Sequence, residues 1–253
     1  MKKSQLAVQL YTLRRYLKTP GGVDRAFAKI RQIGYEAVQV SGVAAPYEAV
    51  KKAAEDNGLL ICGSHADGNA LLNDPESVVE KEKILGCTRT AFPCCEDFQV
   101  IDRETTIEFA QTLERAALVL EKHGISLSYH NHNMEFIRFG KEFALDLIYE
   151  YAPHLKAEID TYWVQMGGCD PVAYVEKYAG RQEIFHLKDF GVVYPRNSIM
   201  VPVGSGNLNW NKILPAAEAG GVEWFIIEQD QCQKDPFDSL KDSFDYLVKN
   251  FVK

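Results

Sequence analysis

Residues 102–130, DRETTIEFAQTLERAALVLEKHGISLSYH, contain a complete helix-to-strand unit. The segment Asp102–His123 is amphipathic, and it is followed by Gly124, a residue type that commonly ends helices. The short apolar run Ile125–Tyr129 then has the length and composition of a buried strand. This stretch therefore predicts a long helix that leads directly into a buried strand.

The same alternation extends over the whole sequence. Helix-like stretches such as Asp24–Ile33 and Tyr47–Asn57 separate short apolar runs, and no GxGxxG pattern follows the first run, which disfavours a doubly wound dinucleotide-binding sheet. Alternating strands and helices form parallel units, so the chain is predicted to be a single (β/α)8 TIM barrel over residues 1–253. The predicted strands are Leu6–Leu10, Ala37–Val40, Leu59–Cys62, Thr88–Phe92, Ile125–Tyr129, Leu155–Ile159, Glu183–Leu187 and Trp224–Ile227.

Composition narrows the class of protein. The chain is 46% hydrophobic and 25% charged, which is ordinary for a globular protein, and its net charge of −7 disfavours duplex DNA and anionic membranes as partners. No apolar run reaches the length of a membrane span, and the start of the chain is a poor secretory signal. The six cysteines contain no CxxC pair, so we expect reduced thiols and a cytoplasmic location.

Polar side chains lie at the C-terminal ends of four consecutive predicted strands, where a TIM barrel places its reactive groups. Because side chains alternate along a strand, each pair within one segment is expected to share a face. Imidazoles mixed with carboxylates are typical ligands of Zn²⁺, Mn²⁺ or Fe²⁺, so the pattern predicts a divalent metal site. The residues are His130 and His132, Glu158 and Asp160, His186 and Lys188, and Glu228.

Six motifs in this order resemble the sugar phosphate isomerase/epimerase group of xylose isomerase-like TIM barrels. The resemblance runs nearly end to end, and its Tyr-His-Asn-His segment is similar to inosose dehydratase and other keto-sugar enzymes. The motifs are Val8-Gln9-Leu10-Tyr11, Tyr129-His130-Asn131-His132 with Glu135-Phe136, Ile159-Asp160-Thr161-Tyr162-Trp163, His186-Leu187-Lys188-Asp189, Pro202-Val203-Gly204-Ser205-Gly206, and Glu228-Gln229-Asp230.

The resemblance implies one divalent metal ion, Mn²⁺, Zn²⁺, Fe²⁺ or Co²⁺, bound by one residue from each of strands five to eight. Sugar epimerases of the group use Glu, Asp, His and Glu, and Asp160, His186 and Glu228 match the last three. His130 stands at the first position, with His132 and Glu135 as alternative ligands. Since the epimerases use both metal-bound glutamates as proton carriers, this departure requires a second proton carrier.

The resulting hypothesis is a metal-dependent sugar isomerase/epimerase that removes a proton next to a sugar carbonyl through an enediolate. Glu228 or Glu135 is expected to act as the base, with His132 or Lys188 as the acid. A lyase or dehydratase acting on a keto-sugar, inosose or 3-keto-glycoside is the alternative. A non-catalytic sugar-binding barrel is the third interpretation, and an endonuclease with three metal ions is disfavoured by the acidic charge.

Further residues near the strand ends are candidates for contacts with a small sugar or polyol. They are Tyr11, His65, Trp163 and Glu158, with Phe92 and Trp210 as additional ring faces. The segment Gly204-Ser205-Gly206 is interpreted as an ordinary loop in preference to a phosphate cradle, because no Arg or Lys cluster accompanies it. We therefore expect an unphosphorylated substrate, and by analogy with the fold group a homo-oligomer.

Overall fold

The computed structural model describes residues 1–94 and 101–253. Eight of its strands form one parallel sheet, which confirms all eight predicted strands, although β3 continues past the predicted end to His65. In chain order the strands are β1 (Leu6–Gln9), β2 (Ala37–Val40), β3 (Leu60–His65), β4 (Arg89–Phe92), β5 (Ser126–His130), β6 (Lys156–Glu158), β7 (Ile184–Leu187) and β8 (Trp224–Ile227).

The sheet curves into a nearly closed barrel, as predicted. Its order is β6-β5-β4-β3-β2-β1-β8-β7, and every neighbouring pair is parallel. The two outer strands, β6 and β7, meet at a single bridge between Asp160 and His186, beside which the His186 amide donates to the Ile159 carbonyl at 2.9 Å. Closure of the barrel therefore brings two predicted metal ligands together.

Helices lie between the strands, and acidic residues cap several of them. The Asp102 carboxylate accepts from the Thr105 amide at 2.8 Å, and that of Asp235 accepts from the Phe237 amide at 2.8 Å. Asp74 also precedes a helix directly but forms no side-chain cap hydrogen bond. The helices are α1 (Pro20–Ile33), α2 (Tyr47–Asp56), α3 (Gly68–Asn73), α4 (Pro75–Leu85), α5 (Arg103–Glu121), α6 (Ala144–Tyr151), α7 (Thr161–Met166), α8 (Pro171–Lys177), α9 (Trp210–Ala219) and α10 (Pro236–Asn250).

Two antiparallel hairpins were not expected from the sequence. The first pairs Arg138–Phe139 with Glu142–Phe143, and the second pairs Asp189–Val193 with Asn197–Val201. Both follow barrel strands at their C-terminal ends, where β5 and β7 leave the sheet. They therefore lie on the side of the barrel where the predicted site is located.

The interior of the barrel consists of an apolar floor below a polar layer. The polar layer consists of the buried side chains of Gln9, Gln39, His186 and Glu228. Each lies two positions after a floor residue along the chain and therefore points to the same face. This placement leaves the polar groups with one another as neighbours, at the end of the barrel where loops provide access. The floor is formed by Ala7, Ala37, Cys62, Ile184 and Ile226.

The five cysteines in the described part of the chain are free thiols, and Cys95 lies outside it. Among the helices of the described residues, none is both long and apolar enough to cross a membrane.

Candidate active site

A cavity of about 380 Å³ lies over the C-terminal ends of the strands, and we call it the site cavity. Its position agrees with the end of a TIM barrel at which reactive groups collect. It is lined by Tyr11, Arg14, Ser41, His65, Pro93, Cys94, His130, His132, Lys188, Glu228, Asp230 and Gln231.

Four side chains at this end of the barrel form a group capable of holding a metal ion. One nitrogen or oxygen atom from each lies within 4.8 Å of all the others, and all four residues are buried. The group consists of His130, Asp160, His186 and Glu228, the set expected from the sequence. Of the three alternatives at strand five, only His130 belongs to it. His132 and Glu135 are absent from it and from the second such group among the described residues, which consists of His65, His130, Glu158 and His186.

A buried oxygen inside this group fits a cation. Among the described residues, Asp160 Oδ2 is buried without a hydrogen bond, and it lies 3.9 Å from His130 Nε2, 4.0 Å from His186 Nδ1 and 3.1 Å from the Lys188 ammonium. The other oxygen of Asp160 caps α7 by accepting from the Trp163 amide at 3.0 Å. Two imidazoles with two carboxylates form a donor set suited to Zn²⁺, Mn²⁺ or Fe²⁺.

Glu158 lies below this group and contacts three imidazoles. Its Oε1 is 2.6 Å from His65 Nε2, 3.0 Å from His186 Nε2 and 3.3 Å from His130 Nδ1, and its Oε2 accepts from Gln39 at 2.9 Å. Burial acts to raise the pKa of Glu158, but His186 and His65 outweigh it and hold the pKa well below its usual value. Because Glu158 is fully buried and outside the cavity lining, its position fits a support for the imidazoles better than the expected substrate contact.

His186 is fixed on both sides of its ring. Its Nδ1 lies 3.0 Å from Glu228 Oε2, and its Nε2 lies 2.8 Å from Gln39 Oε1, which also accepts from Gln9 at 3.0 Å. Burial favours the neutral ring, yet Glu158 and Glu228 together raise the pKa of His186 to about 10. The two glutamines were not singled out from the sequence, although a polar residue inside a short apolar strand was the available signal.

Lys188 is a buried ammonium surrounded by carboxylates. Its Nζ lies 2.8 Å from Glu228 Oε2, 3.1 Å from Asp160 Oδ2 and 3.2 Å from Asp230. Burial acts to lower the pKa of Lys188, but these three carboxylates raise it above its ordinary value. The side chain therefore remains protonated near neutral pH and can donate a proton or a hydrogen bond into the cavity.

Asp230 completes the cluster and was assigned no role from the sequence. Burial, reinforced by the negative charge of Glu228, raises its pKa to about 7. Its position two residues after Glu228 is the same spacing that singled out Glu158 and Asp160, so the signal was present. A carboxylate that titrates near neutral pH at a cavity wall is a suitable proton carrier.

The structure places some of the remaining predicted site residues in the lining of the site cavity and others behind it. Tyr11, His65 and His132 line the site cavity, while the Trp163 ring packs 5.2 Å from that of His132. Burial, followed by the charge of Lys188, lowers the pKa of His132 to about 4. The ring is therefore neutral near pH 7, which disfavours the expected role of His132 as the acid.

Two expected aromatic contacts lie away from the cavity. Phe92 is fully buried and stacks on Tyr129 with ring centroids 5.5 Å apart. Trp210 is also buried, and its indole N–H donates to Asp189 at 2.8 Å. Both side chains belong to the packing around the barrel, so the expectation that they offer ring faces to a sugar is wrong for this structure.

Glu135 is buried and bonded within the segment that follows β5. Its oxygens accept from the Tyr129 hydroxyl at 2.8 Å and from the His132 amide at 2.9 Å. Burial raises the pKa of Glu135 to about 7 despite these bonds. Because Glu135 is absent from the cavity lining, we replace its expected role as base with that of holding the backbone at His132.

The loop at Gly204-Ser205-Gly206 is organised by Asp189. The amides of Gly204 and Gly206 donate to Asp189 Oδ2 at 2.8 and 3.1 Å, so they are not directed at a ligand. A Cβ at Gly206 would lie 2.4 Å from Asp189 Oδ1, which explains the glycine there. The preferred interpretation of an ordinary loop agrees with this geometry, and the phosphate cradle does not.

Fold and site together define a TIM barrel with a metal-competent cluster of imidazoles and carboxylates at its catalytic end. The chain belongs to the xylose isomerase-like TIM barrel family, whose family model matches residues 27–250. Three similar solved structures show how widely this architecture is used.

A sugar phosphate isomerase/epimerase from Parabacteroides distasonis is 26% identical, with a TM-score of 0.83, covering 98% of this chain and 99% of that one. A xylose isomerase-like TIM barrel protein from Mycobacterium smegmatis, solved in complex with magnesium, is 12% identical, with a TM-score of 0.75 and coverages of 97% and 95%. The probable 3-DHS dehydratase of Bacillus anthracis is 14% identical, with a TM-score of 0.71 and coverages of 99% and 100%. No curated protein sequence matches the chain.

Proposed function

We propose that this protein is a metal-dependent sugar isomerase/epimerase that moves a proton next to a sugar carbonyl. The observation that carries the proposal is the convergence of His130, Asp160, His186 and Glu228 within 4.8 Å, beside the charged Lys188, at the base of the site cavity. The likeness to a sugar phosphate isomerase/epimerase from Parabacteroides distasonis supports the same class of reaction.

The four residues of that group would hold one divalent metal ion through two imidazoles and two carboxylates. When bound, such an ion supplies Lewis-acid polarisation of the sugar carbonyl. We expect Mn²⁺, Zn²⁺, Fe²⁺ or Co²⁺ from the imidazole content, although a structural relative was solved with magnesium. Glu158 and Gln39 fix the imidazoles from below, so that the ligand atoms are held before binding.

The chain offers a separate proton acceptor and proton donor. Glu228 and Asp230 both line the site cavity, so the carboxylate of either residue can accept a carbon-bound proton and return it. Lys188 remains charged and can donate to the sugar oxygen on which negative charge develops. We therefore assign Asp230 or Glu228 as base and Lys188 as acid.

The sugar is expected to bind between Tyr11 and the two histidines His65 and His132. Tyr11 keeps 38% of its surface exposed and lines the cavity, so its side chain can contact a ligand. The cavity volume of about 380 Å³ agrees with the size of pockets that take small molecules. This placement puts the sugar directly over the polar layer of the barrel.

Hydrogen exchange into sugar substrates tests the proposal. We expect the metal-loaded protein to incorporate deuterium from D2O at the carbon next to the carbonyl of a keto-sugar, followed by mass spectrometry or NMR. Asp160→Ala combined with His186→Ala, and separately Asp230→Asn, should abolish or strongly reduce exchange. The exposed carboxylate variant Asp238→Asn serves as the matched control and should exchange normally.

The products separate the alternatives. Exchange without loss of water or aglycone supports isomerisation or epimerisation. Loss of water or aglycone would instead identify a lyase, and the absence of both with sugar still bound would identify a non-catalytic sugar-binding barrel.

A further inference from the structure

A second cavity of about 420 Å³ adjoins the site cavity, and we call it the side chamber. The two cavities share Arg14, Asp230 and Gln231 as lining residues. The side chamber is therefore a continuation of the space in which we place the sugar. Its lining is Thr12, Arg14, Arg15, Tyr16, Asp230, Gln231, Cys232, Lys234 and Pro236.

Arg14 is held in a defined position at the junction of the cavities. Its guanidinium donates to the carbonyl oxygens of Tyr11 and Asp230, each at 2.9 Å, and lies 4.2 Å from the centre of the Tyr11 ring. No carboxylate of the described residues forms an ion pair with it. A fixed guanidinium with neutral partners keeps its charge and several N–H groups available to an anion.

The other cationic groups of the side chamber add to this positive charge. Arg15 is exposed and forms no ion pair with any described residue, whereas Lys234 pairs with Asp242. The chamber also contains the carboxyl group of Asp230, but that group lies 3.2 Å from Lys188 Nζ. Two uncompensated arginines therefore dominate the charge of the chamber.

We propose that the side chamber binds an anionic substituent of the substrate, a phosphate or a carboxylate, remote from the reacting carbon. This inference rests on the proposed function, because it places the sugar in the site cavity and its anionic end beside Arg14. The backbone carbonyl of Asp230 accepts from Arg14 and its carboxylate pairs with Lys188, so the anion site and the reaction site meet at this residue. A guanidinium binds either anion through paired N–H groups.

A phosphate in the side chamber would differ from the expectation of an unphosphorylated substrate, whereas a carboxylate would agree with it. That expectation was based on the loop at 204–206, which lacks nearby arginines in the sequence. The arginines that matter follow β1 instead, and the fold brings them beside the end of β8. Only the tertiary structure places these two chain segments together.

Calorimetric titration of the metal-loaded protein with three probes tests the anion site. The probes are D-fructose, D-fructose 6-phosphate and D-fructuronate, so that a neutral sugar is compared with a phosphate and a carboxylate. We expect at least one anionic sugar to bind about tenfold more tightly than fructose, as one charged hydrogen bond allows. The anionic sugar with the larger increase in affinity over fructose identifies the preferred anion.

Matched arginine variants locate the binding. Arg14→Gln should remove the advantage of the anionic sugar, and Arg15→Gln, whose side chain has no ion pair to lose, should reduce it severalfold. Arg25→Gln removes an exposed arginine on α1 and should leave the advantage unchanged. If Arg14→Gln does not fold, as judged by circular dichroism, Arg15→Gln still decides the question.

Equal affinity for all three sugars, binding of none of them, or an advantage that persists in both arginine variants would overturn the anion site. Deuterium exchange separates this failure from that of the proposed function. Exchange that proceeds equally well with neutral sugars would refute the anion site alone. An arginine-dependent advantage without exchange in any sugar would instead refute the isomerase/epimerase proposal alone.

Discussion

Two buried aspartates near the ends of β6 and β7, Asp160 and Asp189, have opposite surroundings. Asp189 accepts five hydrogen bonds, from four backbone amides and the Trp210 indole, at 2.8 to 3.3 Å. Asp160 caps a helix with one oxygen, while its other oxygen has an ion pair with Lys188 but no hydrogen bond. Both side chains are fully buried, so burial alone does not distinguish them.

The difference separates a structural carboxylate from one available for function. The bonds that Asp189 accepts come from its own hairpin, from the loop after it and from the first residue of α9, and its charge is used in folding that region. Asp160 retains an oxygen without a hydrogen bond that is paired with Lys188 and lies beside two imidazoles and a second carboxylate, so it remains available to a metal ion. The two aspartates should therefore respond differently to the same substitution.

The largest effect is expected from Asp189→Asn. The amide keeps one acceptor but directs an NH2 group at donors such as Gly204 and Gly206, so buried N–H groups lose their partner. We expect the free energy of unfolding to fall by on the order of 4 kcal/mol, measured by urea denaturation. Metal content per folded chain should stay at the wild-type level, and loss of metal without loss of stability would contradict the comparison.

Asp160→Asn should show the reverse pattern. Asparagine retains the oxygen that caps α7, and burial raises the pKa of Asp160, so replacing the charge costs the fold little. Since changes to residues behind metal ligands cost up to about 100-fold in affinity, loss of a ligand should exceed that factor. Competition for the metal with a chromogenic chelator measures the affinity of the variant. An affinity equal to that of the wild type would show that Asp160 is not a metal ligand.

Glu135→Gln tests whether a buried carboxyl of the β5 segment acts through stability. Because burial raises its pKa to about 7, the stability due to the neutral form is complete below pH 4.5 and is lost as the pH rises through 7. Between pH 5 and pH 7, the free energy of unfolding of the wild type should fall by about 2 kcal/mol relative to that of the variant. Denaturation at several pH values checks this, and parallel pH profiles would show that the carboxyl does not titrate there.

The smallest effect is expected from Glu158→Gln. The amide keeps the shape of the support but removes the negative charge shared by three imidazoles. Metal affinity should fall about tenfold, because orienting groups behind ligands contribute that much. Gln231→Ala is the control, since it changes the cavity wall without touching the imidazoles, and equal affinities in the two variants would exclude the supporting role.

The sequence predicted the candidate metal group because the signal for it is local. Alternation of side chains along a strand placed His130 and Asp160 at the open end of the barrel, and the structure brings them together as expected. The substrate contact expected of Glu158 and the role as base expected of Glu135 from the family resemblance were assigned without knowledge of their hydrogen-bond partners, which a sequence pattern does not report. Both residues are instead bonded inside the protein.

Other parts of the site depend on contacts between distant segments. Arg14 meets Asp230 across 216 residues of chain, and Gln39 meets Glu158 across 119. The raised pKa of Asp230 has the same origin, because it results from burial and from the neighbouring charge of Glu228. The spacing of residues along the sequence does not give the distances in space on which these properties depend.

The sequence by itself determined the order of strands and helices, the barrel, and which side chains face its interior, because periodicity and helix-ending glycines are properties of neighbouring residues. The tertiary structure decided which interior groups share bonds, which oxygens remain unpaired, and where positive charge borders the cavity. These depend on barrel closure at Asp160 and His186 and on the pairing of β1 with β8, which set distances between residues far apart in the chain. A carboxylate becomes structural or available for function only when those distances are fixed.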